Sequence, residues 1–509
     1  MIDGLPFELI EGACRHAPAD FPHLHALYAC GRIGPLAPLK PNCQTPPSLF
    51  TKWSGVDAGS LCPTGYEVPD LAAGDVLGVA NGFDNYPRHV PMIWDRYAER
   101  GGTVGLVGIP FVQTQRLGAR LLKRVDLFAP RTCDAFVLEQ GTKRTIADTE
   151  VEFDFDGRLA VRSTHGARAT RSFSVRSNRL QQIDIDVGAS MPLCTALVDH
   201  GDRRCLCIGG LTRLGGGDAS YPRWLRGLGF ETLYRRGCLG QKCATHGNST
   251  VGASRAERTF IDGLELMQRD IARALYGLIA TDAGLVVGYT HFFDLALHEL
   301  YGLVTAGDGA VAREAHKRLL SIVDSFVGEL AALCAPDQRL VVSSDHGMLP
   351  VTRVFRPNVL LRGLGLLSVT PDFRIDPSSS TAFYHPCESG LLCVRDPAAA
   401  AHVARVCNEY LVQRDLAPLE LLIAESRNQL PGFAASCYVK GPPGCRAKAD
   451  TVGDLFSSSA KTGDHTVYSD DPSLAGVVLE VRRGSAPAAP LPSRLDQMAS
   501  FVVPGIGME

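Results

Sequence analysis

No apolar run in this chain is long enough for a membrane-spanning helix. The most apolar long segment, Leu285 to Val304, is broken by Asp294, His298 and Glu299. Charge of one sign is also scarce. Against 51 Lys and Arg stand 54 Asp and Glu, a net charge of -3. Neither nucleic acid nor an anionic membrane surface is therefore expected as a partner. The start, Met-Ile-Asp-Gly-Leu-Pro, has neither the basic nor the apolar region of a signal peptide, so a cytoplasmic location is expected. The 16 cysteines lack the regular pairing of a disulfide framework. Many sit among apolar neighbours, as Cys205 and Cys207 do, and read as buried reduced thiols. Cys238 and Cys243 have no second pair nearby and are taken as structural.

What remains is an ordinary globular composition, 45% hydrophobic and 21% charged. At 509 residues the chain has room for two or three domains, or for one large domain with an insertion. Pro91 to Arg100 carries a short helical pattern, and Thr103 to Gly108 reads as a strand. The character then changes. Val151 to Leu159 alternates through a turn at Asp156-Gly157, Ile183 to Val187 alternates again, and Leu206 to Leu211 is a short apolar run. These features predict antiparallel sheet inserted into an α/β host.

From Arg255 to Leu278 the apolar residues Phe260, Leu264, Met267, Ile271 and Leu275 mark one helical stripe. A strand over Leu285 to Tyr289, a helix from about Val311 to Cys334 and a strand at Leu340 to Val342 follow. Strand, helix, strand at this spacing implies right-handed crossovers and a mostly parallel central sheet. The expected organisation is a catalytic core in two parts, 1–131 and 255–509, separated by a β-rich insertion over 132–254. Gly484 to Ser493, with three prolines, reads as a surface linker.

Sites in open α/β sheets form beyond the carboxyl ends of the strands. Four segments fall there. Asp345-His346 follows the strand ending at Val342, with Gly347 behind it to let the chain turn away. Asp294-Leu-Ala-Leu-His298 places an acid and an imidazole on one helical face. Asp3 and His465, in Gly463-Asp464-His465, complete the set. Singly, each has a plainer explanation as a solvated pair or a turn. Together they supply three aspartates and three histidines, a mixed N/O set that suits zinc best, with manganese the alternative.

A nucleophile candidate lies between Asp3 and Asp294 in the chain. Thr45, followed by Pro46, reads as a helix N-cap with proline at the first helical position. Most Thr-Pro pairs are only that. The same geometry also aims a hydroxyl at the unpaired N–H groups and positive end of a helix, where a phosphate is welcome. Lys52, seven residues on, is about two helical turns away and reads as a solvated side chain.

This combination resembles the type I phosphodiesterase/nucleotide pyrophosphatase family of the alkaline phosphatase superfamily. The resemblance rests on Asp3-Gly4, Thr45-Pro46-Pro47 running to Ser54-Gly55, Asp294-X-X-X-His298, Ser344-Asp345-His346-Gly347-Met348 and Gly463-Asp464-His465. It implies an alkaline-phosphatase-like α/β fold with helices on both faces of the sheet. It also implies two divalent ions, one held by Asp3, Thr45, Asp345 and His346, the other by Asp294, His298 and His465. The expected reaction is hydrolysis of a small-molecule phosphodiester or pyrophosphate through a covalent phosphothreonine at Thr45.

The chain departs from the family's pattern in places. Only Met1 and Ile2 precede Asp3, so the first strand is expected to be a stub. The family's His-Gly pair reads Leu61-Cys62, and its phosphate-contacting asparagine is Tyr66 here, which can offer a hydroxyl or an aromatic face. Two alternatives stay open: a phosphomonoesterase or phosphonoacetate-type C–P hydrolase, and a degenerate relative that binds without turnover. No arginine lies between Pro35 and Pro87 to match a dianionic monoester, and diesters are expected to react faster.

Overall fold

The computed structural model describes residues 1–509 apart from 62–63, 71–73, 128–130, 140–141, 147–148, 156–157, 164–169, 175–179, 187–189, 201–202, 215–223, 241, 243–253, 307–308, 388–389, 424–429, 434, 467–469, 483–488 and 506–509. The Asp156-Gly157 turn, Cys62, Cys243 and part of the 484–493 linker lie outside the described residues.

Two three-stranded sheets make the frame. In one, Val104–Val107 pairs in parallel with both Leu285–Gly288 and Leu121–Val125. In the other, Gly476–Arg482 lies antiparallel between Arg339–Ser343 and Ile33–Leu36. The chain start joins them. Thr290 N–H donates to Met1 O at 3.0 Å, and Asp3 N–H donates to Thr290 O at 2.8 Å. On the other side Ile2 N–H donates to Ser343 O at 3.0 Å. Three residues thus fill the central slot, and Ile2 runs parallel to Thr290. Bonds to both neighbours hold this segment and place Asp3.

Strand periodicity decides the two faces. Along Gly476–Arg482, Val477 and Leu479 enter one core with Ile10, Leu24, Phe260, Leu320 and Val342. Val478 enters the other with Leu49, Phe50, Trp94, Leu106 and Met498. Helices Ser254–Ile279 and Ala310–Leu333 contribute to the first core, and helix Thr45–Ser54 to the second. The fold is α/β with helices on both faces, as expected.

Between Phe136 and Ile208 lie two four-stranded antiparallel sheets. Leu138, Ile183, Leu193, Leu206 and Ile208 form a separate core there. A further core, absent from the sequence reading, gathers Phe355, Phe383, Leu392, Val403 and Tyr438 beneath helix Pro397–Val412. No helix among the described residues is long and apolar enough to cross a membrane.

Candidate metal centre

Strand ends and helix starts converge at one edge of the central sheet. Asp345 and His346 follow strand Arg339–Ser343 and are fully buried. Ser344 fixes their loop: its hydroxyl accepts from Leu5 N–H at 2.8 Å and donates to His346 O at 2.8 Å. The Asp345 carboxylate also accepts from Gly4 N–H at 3.3 Å. Gly4 is required twice over. Its φ is +64°, and a Cβ there would lie 2.8 Å from Asp294 Cβ. Gly347 serves differently from the turn expected of it. Its φ is not positive; a side chain would instead run into Ser473 O at 1.8 Å.

Helix Phe292–Thr305 carries Asp294 in its first turn and His298 one turn later. His298 Nε2 lies 3.4 Å from Asp294 Oδ2. His465 Nε2 lies 3.3 Å from Asp294 Oδ1. Across the site His346 Nε2 is 3.3 Å from Asp3 Oδ1 and 3.5 Å from Asp345 Oδ2. All six aspartates and histidines predicted to hold metal are therefore brought together. Asp294 lies between the two halves, grouping with His298 and His465 and also with Asp3 and His346.

The residues fit divalent ions on three grounds. First, each imidazole has its other nitrogen turned to a carbonyl: His298 Nδ1 to Gly463 O at 2.8 Å, His346 Nδ1 to Gly347 O at 2.9 Å, His465 Nδ1 to Cys43 O at 3.3 Å. An Nδ1–H donated there leaves every Nε2 lone pair facing inward, the usual backing of metal-bound histidine. Second, Asp294 Oδ1 and Asp345 Oδ2 are buried without a hydrogen-bond partner among the described residues, which is costly unless a cation faces them. Third, donor atoms about 3.3 Å apart match the edge of a tetrahedron with bonds of about 2.0–2.1 Å.

The electrostatics agree. Burial alone would lower His346, but Asp345 and Asp3 raise it to about 10. Burial and the neighbouring Asp3 raise Asp345 to about 7. Burial lowers His298 to about 4 against the pull of Asp294. Without a cation, buried carboxylates and imidazoles must share protons to limit unpaired charge.

Thr45 is buried against this cluster. The helix begins at Thr45 itself, with Gln44 as N-cap, one residue earlier than expected. No side-chain cap bond forms at this end. The Thr45 hydroxyl instead lies 3.4 Å from both Asp3 oxygens and from His346 Nε2. Tyr66 is half exposed, its ring edge-on to Phe83 at 5.6 Å. Its N–H donates to the Gln44 side chain, which ties it to the Thr45 turn.

Lys52 corrects the sequence reading. It is fully buried, not solvated, and Nζ donates to Ser344 O at 3.4 Å. Burial pushes the amine down to about 7, while Asp345 and Asp3 hold it up. Tyr289 was also missed as a site residue: its hydroxyl donates to Asp3 Oδ2 from the end of strand Leu285–Gly288. Asp464 accepts from His465 N–H at 2.9 Å and pairs with Arg446 at 3.4 Å. Only the position of Tyr289 as the last residue of a predicted strand could have signalled its part.

Carboxylates and imidazoles at the strand ends of a mixed sheet, beside a hydroxyl at a helix start, make a candidate metal site next to a candidate nucleophile. The chain belongs to the type I phosphodiesterase/nucleotide pyrophosphatase family, whose model matches residues 1–455. His465 lies beyond the matched span. No curated protein matches the chain in sequence. Among solved structures it is similar to phosphonoacetate hydrolase from Sinorhizobium meliloti 1021 in complex with phosphonoformate, at 12% identity and a TM-score of 0.43, covering 98% of this chain and 93% of that one. It is also similar to murine ectonucleotide pyrophosphatase/phosphodiesterase 5, at 11% identity and a TM-score of 0.42, with 99% and 92% covered.

Proposed function

We propose that the chain is a two-metal hydrolase that cleaves a phosphodiester or pyrophosphate bond through a covalent intermediate on Thr45. Asp3, Thr45, Asp345 and His346 would hold one divalent ion, and Asp294, His298 and His465 the other. Zinc suits this donor set best, and manganese is the alternative. Bound there, the ions supply the positive charge that favours the threonine alkoxide and offsets charge building on the phosphoryl oxygens.

The observation that carries this reading is the Thr45 hydroxyl, uncapped and 3.4 Å from Asp3 and His346. As an alkoxide it forms a new O–P bond while the P–O bond to the leaving group breaks, and the leaving oxygen takes up a proton from solvent. Water then attacks the same phosphorus. The Thr45 O–P bond breaks, the hydroxyl is restored, and a phosphomonoester departs.

The buried Lys52 amine donates to Ser344 O and its charge is offset by Asp345 and Asp3. With metals and a helix start as the positive charge, a singly charged diester is the better match. Matched nitrophenyl mono- and diesters, turned over by metal-loaded protein at one pH, test this. Faster diester release supports it. A clear monoester preference would replace the substrate class, and bound metal without any turnover would make the chain a non-catalytic relative.

A further inference from the structure

At the end of the central sheet opposite the metal centre, three arginines surround one glutamate. Arg339 opens its strand and Arg482 closes the neighbouring one, directly opposite in register. Arg32 immediately precedes strand Ile33–Leu36, and its carbonyl accepts from Glu480 N–H at 3.0 Å. Glu480 has no side-chain exposure, and all three guanidinium groups converge on its carboxylate. Arg32, Arg339 and Arg482 are 19%, 18% and 26% exposed, so they are mostly withdrawn from water.

One carboxylate neutralises one of three cations. Among the described residues no second acid pairs with any of them. Like charges opposite one another on adjacent strands are destabilising, and partial burial strengthens their repulsion. Burial and the neighbouring Arg482 and Arg32 push Arg339 down to about 10. The Arg339 guanidinium stacks over the Phe501 ring at 4.0 Å, with Nε to Glu480 and Nη1 to Phe501 O, while Nη2 is buried with no hydrogen-bond partner among the described residues. Guanidinium forks that converge without enough carboxylate fit the oxygens of a tetrahedral anion.

We propose that Arg32, Arg339 and Arg482 form a binding site for a small inorganic dianion, phosphate or sulfate, separate from the metal centre. The charge fits, since such an anion cancels the two cations that Glu480 leaves over. The limited exposure of the three side chains favours the free ion over the head of a larger ester.

The test is the thermal midpoint of metal-loaded protein against sulfate, with ionic strength held constant by sodium chloride. Wild type should show a saturable rise. Arg482→Gln and, on the other neighbouring strand, Arg32→Gln should each raise the half-saturating concentration about tenfold or more. Arg374→Gln, which removes an exposed cation elsewhere, should change nothing. Two variants on different strands keep the test usable if one fails to fold. Sulfate also stabilises proteins generally by exclusion, so a rise without saturation, equal in all variants, overturns the proposal. A saturable rise that survives both substitutions places the anion at the metal centre and overturns it equally. Tighter binding of glycerol phosphate than of inorganic phosphate would overturn the assignment to a free ion.

Discussion

Thr45 Oγ1 is equidistant from the two carboxylate oxygens of Asp3, 3.4 Å from each, although 42 residues separate them in the chain. Neither residue has another evident use for this proximity. The hydroxyl caps no helix end, and Asp3 occupies the central slot of the sheet. If the pair serves an ion and a nucleophile, Thr45→Ala should fold, retain most metal and lose diester turnover by at least about a thousandfold. Thr45→Ser should keep part of the activity. Steady-state rates with elemental analysis check both, and near-normal turnover by Thr45→Ala would reduce the hydroxyl to a bystander.

Metal content should approach two equivalents. Replacing His298 or His465 should empty one position, and Asp345→Ala the other. Because Asp345 and Asp3 keep His346 protonated up to about pH 10 in the metal-free protein, metal must displace that proton. Loading at pH 7 should therefore release protons, and affinity should fall as pH is lowered. Calorimetric titration in two buffers of different ionisation enthalpy measures the release.

Gly4 packs its backbone directly against the site. Gly4→Ala forces a Cβ to 2.8 Å from the Asp294 side chain at a φ of +64°. The left-handed backbone alone costs about 1–2 kcal/mol, and the contact must also move Asp294. Both the thermal midpoint and metal occupancy should drop. A loss of stability with full occupancy would show that Asp294 is less constrained than it appears from its neighbours.

His385, beside Phe383, supplies a pH test of the core around Phe383 and Tyr438. Nε2 faces Val76 O at 3.0 Å and Nδ1 accepts from Cys387 N–H at 3.0 Å, so the ring must be neutral. Burial pushes it down to about 4. The unfolded chain therefore binds a proton that the folded one does not between about pH 6.5 and 4. Stability is full above that window and lost as pH falls through it, by roughly 3 kcal/mol. Denaturant midpoints for wild type and His385→Gln at pH 7 and 4.5 should converge at the lower value.

The paired ligands were legible in the sequence because their geometry is local. Asp294 and His298 need only helical spacing, and Asp345-His346 only a strand end. Lys52 was misread because burial is not local: a lysine two turns into a helix looks solvated until the 344–346 loop is seen to pack beneath it. Tyr289 likewise meets Asp3 only through sheet pairing. The lobe around Phe355 and Tyr438 was missed because its strands are mostly three to six residues long and carry little alternation. Gly347 was recognised as special for a turn, whereas the need is room for Ser473 O.

The covalent step on Thr45 is the central claim. The most direct measurement quenches metal-loaded protein in acid during turnover of bis-nitrophenyl phosphate and analyses the peptide containing Thr45 by mass spectrometry. The expected result is a nitrophenyl-phosphoryl adduct on Thr45 that forms within the burst of nitrophenolate and is missing from Thr45→Ala. A full burst with no adduct on Thr45, or an adduct on another residue, would contradict the account.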